Sequence, residues 1–407
     1  HIDHSGNIPN LFKEGFEGNV VCTEPTMALT ALLLKDAANL HQKRINARNE
    51  PGAKKRGKKR REIPRDAFLE KNVNESLENF VPVAFGQRYR IANHISITFY
   101  ASGHLLGAAH IVVEVTEDGV TKKICFSGDL GRSNYPLLVD PQEVPDVDYI
   151  ICESTYGNRI HEDKGLPTEI LADVIKRTCI DIPGRLIIPS FSVGRTQALL
   201  YTLNKIYIDH QFPNIKVFSD SPLAYSSTKV YQRHIKLLNK EAKDFYQEND
   251  MLFDFDNLIY LASTEQSKSI SNYNEPCIII SSSGMIQGGR VEQHVEANIG
   301  NPYATILMIG YASEGTLGWR LLNGQDSISV RGKQLPVLAN IEKIDVFSGH
   351  GDQNDLLRFV KMQNPDKLKS VFLVHGEHES MQDFQKVILN EGYKSVEIPS
   401  RGQTFYL

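Results

Sequence analysis

The feature that most constrains this chain is a pattern repeated along its length. A short apolar run rich in β-branched residues stops abruptly in a polar loop, most often one holding glycine or serine. "ISITFYASG", "AAHIVVEVT", "KKICFSGD", "VDYIICEST" and "GRLIIPSFS" all have this form. Elsewhere apolar residues recur at three- and four-residue spacing, in "EPTMALTALLLKDAANLHQK", "GRTQALLYTLNKIYIDH", "QNDLLRFVKMQ" and "SMQDFQKVILNEG". The first kind of run reads as strand and the second as amphipathic helix. Their alternation predicts an α/β protein, a class that places its chemistry at the carboxyl ends of strands.

With 407 residues the chain can form two or three domains of ordinary size. Its most apolar runs, such as "DYIICESTYG" and "PCIIISSSG", are too short to span a bilayer, so no membrane partner is expected. The five cysteines form no CxxC pair, and Cys125, Cys152 and Cys277 lie inside strand-like runs. They read as small buried hydrophobes in a reducing compartment, which predicts a cytoplasmic protein. The net charge of −4 conceals an uneven distribution, because Lys43–Arg61 holds ten basic residues and one acidic one. Such a run is a solvated loop, a flexible arm that attracts nucleic acid through its phosphates, or both. No internal repeat or clean linker divides the chain. The polar strand-end loops cluster in residues 1–157 and 345–407, as expected if one domain is interrupted by another.

Those loops carry the ionisable residues. "ASGHLLGAAH" brings His104 to a strand end, "CFSGDLGR" brings Asp129 and "ICESTYG" brings Glu153, while "VFSGHGDQND" and "FLVHGEHES" bring His350 and His375. Glycine beside such a residue lets the backbone turn sharply and lets a ligand approach closely. One strand-end histidine is most often structural, and one strand-end aspartate is usually a helix cap. Recurrence of the same local context argues against several independent structural accidents. The opening "HIDH" adds His1, Asp3 and His4, a spacing that fits a tight turn converging on one point better than a helix face. Together His1, Asp3, His4, His104, Asp129 and His375 form a mixed nitrogen and oxygen set. It suits two zinc ions with one carboxylate between them, and Mn²⁺ occupies similar sites.

"HIDH" followed by "SGH", "SGD" and "LVHG" resembles the metallo-β-lactamase superfamily, whose HxHxDH motif and later His, Asp and His build a dinuclear zinc site in an αβ/βα sandwich. "ICESTYG", "SFSVGRTQALL", "DSPLA", "SSSGMIQGGR", "GYASEGTLGWRL" and "FSGHGDQ" further resemble its β-CASP branch of nucleases, in the family's order from His1 to about Gly376. The resemblance implies that residues 1–157 and 341–407 form the metallo-β-lactamase domain, with residues 158–340 an inserted α/β β-CASP domain. It makes His1 and His104 ligands of one zinc, Asp3, His4 and His375 ligands of the other, and Asp129 the bridge. Glu153, His350 and His375 fall on the family's acidic and two histidine motifs. A histidine at the position of His350 is the pattern of RNA-cutting members related to the endonuclease subunit of mRNA 3′-end processing. The first histidine of HxHxDH would lie two residues before His1, so the resemblance implies a longer natural chain with further strands ahead of this one.

The function so implied is zinc-dependent hydrolysis of single-stranded RNA by two metals, endonucleolytic in character. Asp3 would orient the attacking water, and His350, oriented by Glu153, would protonate the leaving oxygen. "PSFSVGRTQ" and "SSSGMIQGGR" read as strands running into helix N-termini that suit phosphate. There Arg195, Ser283 and Arg290 are candidate RNA contacts, and for Arg195 a salt bridge between elements is an equal reading. A homodimer is compatible with all of this. The competing readings are a small-molecule metallohydrolase, such as a thioesterase or lactonase, and a scaffold of RNA processing that does not cut.

Overall fold

The computed structural model describes residues 1–49, 67–162, 165–209 and 212–407, which divide into two compact units, His1–Gln87 and Arg88–Leu407. No linker-like composition marks that break. Most of the basic run predicted from Lys43 to Arg61 lies outside the described residues.

The first unit comprises α1 (Ile2–Ser5), α2 (Ile8–Lys13), β1 (Val20–Cys22), α3 (Glu24–Asn49), α4 (Glu70–Leu77) and β2 (Phe80–Pro82). The two strands pair in parallel, Val20 opposite Phe80. Leu34 and Ala38, one turn apart on α3, are buried against Phe68 and against Val73 of α4.

The second unit begins with β3 (Tyr89–Ala92), β4 (Ile95–Ala101), β5 (Ala109–Glu117), β6 (Val120–Phe126) and β7 (Tyr149–Glu153). The chain continues through α5 (Pro167–Ile175), β8 (Arg185–Pro189), α6 (Arg195–Asp209), β9 (Lys216–Asp220), α7 (Pro222–Arg233) and α8 (Lys240–Asn249). Next come β10 (Leu258–Tyr260), α9 (Thr264–Ser269), β11 (Cys277–Ser281), α10 (Val291–Asn298), β12 (Ala304–Met308) and α11 (Leu317–Leu322). A hairpin of β13 (Ser327–Val330) and β14 (Lys333–Pro336) leads to β15 (Asn340–Lys343), and α12 (Gln353–Val360), β16 (Ser370–Val374), α13 (His378–Asn390) and β17 (Val396–Glu397) close the unit.

Two large sheets organise these elements. One has seven strands in the order β17-β16-β7-β6-β5-β4-β3, and the other has six, β10-β9-β11-β8-β12-β15. The six-stranded sheet is parallel throughout, and β11 and β12 are buried at every position. Burial on both faces is why these strands read as unbroken apolar runs without alternation. Ile187, Ile279 and Ile306 of that sheet pack with Val291 and Val295 of α10 and Leu317 and Leu321 of α11. In the seven-stranded sheet, Val112, Cys125, Ile150, Val371 and Leu373 pack with Leu356 and Phe359 of α12 and Phe384 and Ile388 of α13. The strands of the six-stranded sheet all fall in sequence between β7 and β16, so the other sheet is built from two separated stretches of chain. All five cysteines are free and buried, and among the described residues no helix is long and apolar enough to cross a membrane.

Candidate metal and active centre

Strand direction gathers the predicted residues. β5 runs antiparallel to both β4 and β6, while β6, β7 and β16 are mutually parallel. The carboxyl ends of β4, β6, β7 and β16 therefore share one rim of the sheet. Glu153 ends β7, His375 follows β16 directly, and His104 and Asp129 stand three residues beyond β4 and β6. The loops after β4 and β6 touch through a bridge between Gly103 and Leu130. A Cβ on Gly131 would lie 2.2 Å from the carbonyl carbon of Gly103, so no other residue permits this approach.

His350 reaches the same rim by another route. The sequence pattern put it at a strand end, but β15 stops at Lys343 and pairs with β12 of the other sheet. The chain then crosses over through an irregular stretch anchored by buried Val346 and Phe347. His350 forms only an isolated bridge with Gly131.

Four of these groups are buried or largely so. The His104 Nδ1–H donates to the Gly349 carbonyl at 3.0 Å, which leaves Nε2 as an acceptor 3.7 Å from an Asp129 carboxylate oxygen. A backbone bond of this kind fixes the tautomer that binds metal. His375 Nδ1 is 3.5 Å from the other Asp129 oxygen and 4.0 Å from Glu153. Ligand atoms of His104, Asp129 and His350 lie within 4.8 Å of one another, and the imidazoles of His104 and His350 stand 4.5 Å apart. His375 adopts a left-handed backbone, φ 52°, which a non-glycine residue accepts only where its surroundings compensate.

Glu153 is the most enclosed of the set, at 2% exposure. Its carboxylate accepts from the Leu130 N–H and from the Thr155 hydroxyl, and His350 Nδ1 lies 3.2 Å from both oxygens. Burial alone would raise this carboxyl. The His350 imidazole, with hydrogen bonds involving His350, His375 and Thr155, more than offsets it and holds the group at about 2. Glu153 is thus an ionised, buried anchor for one nitrogen of His350.

The three predicted RNA contacts differ. Arg195 opens α6, half-buried, its guanidinium 4.7 Å from the centre of the Phe191 ring. Among the described residues that guanidinium has no hydrogen bond or ion pair, and burial pulls its pKa down although Tyr135, Tyr156 and Asp345 favour its charge. A Cβ on Gly310 would fall 2.5 Å from Nη1, so the absence of a side chain there makes room for it. Arg290, by contrast, binds the buried Asp220 carboxylate at 2.7 Å and the carbonyls of Leu261 and Ala262. The Ser283 hydroxyl is bonded to the backbone of Gln287 in its own loop. Both are occupied in holding loops together.

In the first unit, "HIDH" is not a tight turn: Ile2–Ser5 is one turn of helix with His1 as its N-cap. A spacing of three residues makes neighbours on a helix, and the rings of His1 and His4 are 4.6 Å apart. Asp3, exposed, reaches back to His1 Nδ1 at 3.2 Å.

Residues without a strand-end signal also serve the site. His110 lies inside β5, fully buried, and its Nδ1–H donates at 2.5 Å to the carbonyl of Ser127, two residues before Asp129. Thr155 and His161 were equally unmarked. Asp220 and His294 join through a 2.6 Å bond in the interior of the other sheet's layer, where only "DSPLA" gave a hint.

Comparison with known proteins agrees with this geometry. Residues 196–321 match the Beta-Casp domain, and residues 334–399 match a domain described as the Zn-dependent metallo-hydrolase RNA specificity domain. Both matches are to domains of the β-CASP branch of the metallo-β-lactamase superfamily, and with the relatives below they support a hydrolytic nuclease of that family. It is 28% identical over 392 residues to a ribonuclease of Thermus thermophilus, covering 96% of this chain and 83% of that protein. The transcription termination factor FttA of Methanosarcina mazei is 30% identical over 414 residues, covering 99% of this chain and 61% of the factor. The endoribonuclease YSH1 of Yarrowia lipolytica is 27% identical over 416 residues, with 46% of its length covered. The fold is accordingly the αβ/βα sandwich of this superfamily carrying an α/β β-CASP domain.

Proposed function

We propose that this chain is a zinc-dependent ribonuclease that cuts single-stranded RNA internally, with two metal ions and a protein proton donor. The observation that carries the reading is the rim itself. Imidazoles and carboxylates from separate strands converge there, and His350 is tied through Nδ1 to a buried, ionised Glu153.

The donor set fits zinc, with Mn²⁺ also compatible, because neutral imidazole nitrogens and carboxylate oxygens are ligands of both. Zinc held by His104, Asp129 and His375 would supply Lewis acidity and a water whose pKa falls to about 7. The carboxylate of Asp129, within reach of both histidines, is the candidate bridge. His1, Asp3 and His4 stand as ligands on their donor types and on the resemblance, and Asp3 as the group that orients the attacking water. With Nδ1 held by Glu153, the remaining nitrogen of His350 is the candidate donor to the leaving 3′ oxygen. Arg195, its guanidinium stacked on Phe191 but without a hydrogen-bond or ion-pair partner among the described residues, is the candidate contact to a flanking phosphate. Arg290 and Ser283 support the surrounding loops. Buried, unpaired cysteines accord with action in a reducing compartment such as the cytoplasm.

One observation favours a second reading of His350. It groups with His104 and Asp129 as closely as a ligand would. The deciding experiment measures metal per chain together with cleavage of a circular single-stranded RNA, which has no ends for an exonuclease. Two zincs per chain with metal-dependent opening of the circle supports the proposal. Two zincs without cutting turns the reading to a small-molecule substrate, and one zinc or none refutes the two-metal scheme. Alanine variants of His1, Asp3 and His4 that keep full zinc would remove those residues from the ligand set.

A further inference from the structure

His350 lies between Gly349 and Gly351, in a stretch with no strand to fix it. Glycine on both sides leaves the backbone exceptionally free, so its direction must be set from outside. Three contacts set it, the first being the His104 Nδ1–H that donates to the Gly349 carbonyl at 3.0 Å. Gly351 N–H donates to the Leu130 carbonyl at 2.9 Å, and the imidazole Nε2 of His161 lies 3.0 Å from the carbonyl oxygen of His350.

A carbonyl can only accept, so Nε2 of His161 carries the proton. Among the described residues its buried Nδ1 has no hydrogen-bond partner, and a second proton there would be an unsatisfied donor. The ring is therefore held neutral in one tautomer, in line with the downward pull of burial on its pKa. It sits edge-on to Tyr156 at 5.4 Å, and its backbone N–H donates at 3.0 Å to Asp352. Asp352 in turn caps α12 through the N–H groups of Asn354 and Asp355.

We propose that His161 is a positioning residue for His350, acting through the His350 carbonyl. The segment that follows β7 then grips His350 at two points. Glu153 holds the side chain and His161, eight residues later, holds the main chain. The inference rests on the ribonuclease reading for its effect on rate, but not for its geometry. Displacing a reacting group by about 1 Å costs about a hundredfold in rate, which is the scale of effect such an anchor can have.

The test uses His161→Gln, which keeps an N–H where Nε2 stands, beside His161→Asn and His161→Leu, which do not reach the carbonyl. Two substrates are compared in the zinc-loaded protein, single-stranded RNA and bis(p-nitrophenyl) phosphate. The second has a leaving group that departs without a proton. On RNA, the Asn and Leu variants should lose at least about tenfold in kcat with KM little changed, and the Gln variant should stay within about threefold. On the chromogenic diester the Asn and Leu variants should lose far less. Hydrogen exchange of the peptide covering residues 348–353 should quicken in Asn and Leu but not in Gln, whatever the substrate proves to be. Unchanged exchange, equal losses in Gln and Asn, or parallel losses on both substrates would each overturn the proposal. Wild-type protein that leaves RNA intact would sink the ribonuclease reading alone, and the exchange result would still decide the role of His161.

Discussion

His110 links the interior of the sheet to pH. Its imidazole is fully buried in β5, Nδ1 donates to Ser127, and Nε2 meets no hydrogen-bond partner among the described residues. Burial pushes its pKa from 6.5 to about 4, against the smaller upward effects of the Ser127 carbonyl and the Glu153 charge. Above pH 6.5 the ring is neutral whether the chain is folded or not, and its contribution is fully present. Between 6.5 and 4 the unfolded chain takes up a proton that the folded chain refuses, so stability falls with pH. The slope is about 1.4 kcal/mol per pH unit, giving a loss of about 2 kcal/mol between pH 7 and 5. His110→Asn retains a donor near the place of Nδ1 but does not titrate. Urea unfolding followed by circular dichroism, in EDTA so that metal release does not contribute, should be recorded for both proteins across this range. Other titrating groups are common to the two and cancel in the difference. Wild type should lose about 2 kcal/mol more than His110→Asn between pH 7 and 5. Parallel pH curves would mean that His110 is already protonated in the fold, and the burial argument would fail.

His350→Ala should lower RNA cleavage by about 10²- to 10⁴-fold with zinc per chain unchanged, the scale of a lost general acid. A parallel loss of zinc, measured by atomic absorption, would make His350 a ligand instead. Gly310→Ala should push the Arg195 guanidinium off its seat and weaken RNA binding about tenfold by fluorescence anisotropy, the equivalent of one charged hydrogen bond. Unaltered affinity would remove Arg195 from the RNA surface.

The elements of this fold were legible from local pattern. β4, β7 and β8 lie within apolar runs read as strand and β5 and β6 overlap theirs, while α6 and α12 lie within segments of helical spacing and α3 and α13 extend beyond theirs. That is expected where one face, or both, is buried, because burial imposes the period of the element on its residues. The strand-end positions of His104, Asp129, Glu153 and His375 were legible for the same reason. An apolar run that stops at a glycine marks the place where the backbone leaves the sheet.

Other features exist only because distant segments meet. Nothing local reveals that β4, β6, β7 and β16 point the same way, and without that the four residues would not share a rim. His350 sits on an irregular crossover, since β15 belongs to the other sheet, so its strand-end reading failed. Arg290 looked like a free phosphate fork until the fold brought Asp220, seventy positions earlier, to within 2.7 Å of it. His110 and His161 carry no signal at all, because each matters through a backbone carbonyl, and every residue has one of those. Sequence determines which side chains are available and where the chain turns. Which of them face one another, and which are consumed in holding the others still, follows from strand direction and long-range packing, which no local period encodes.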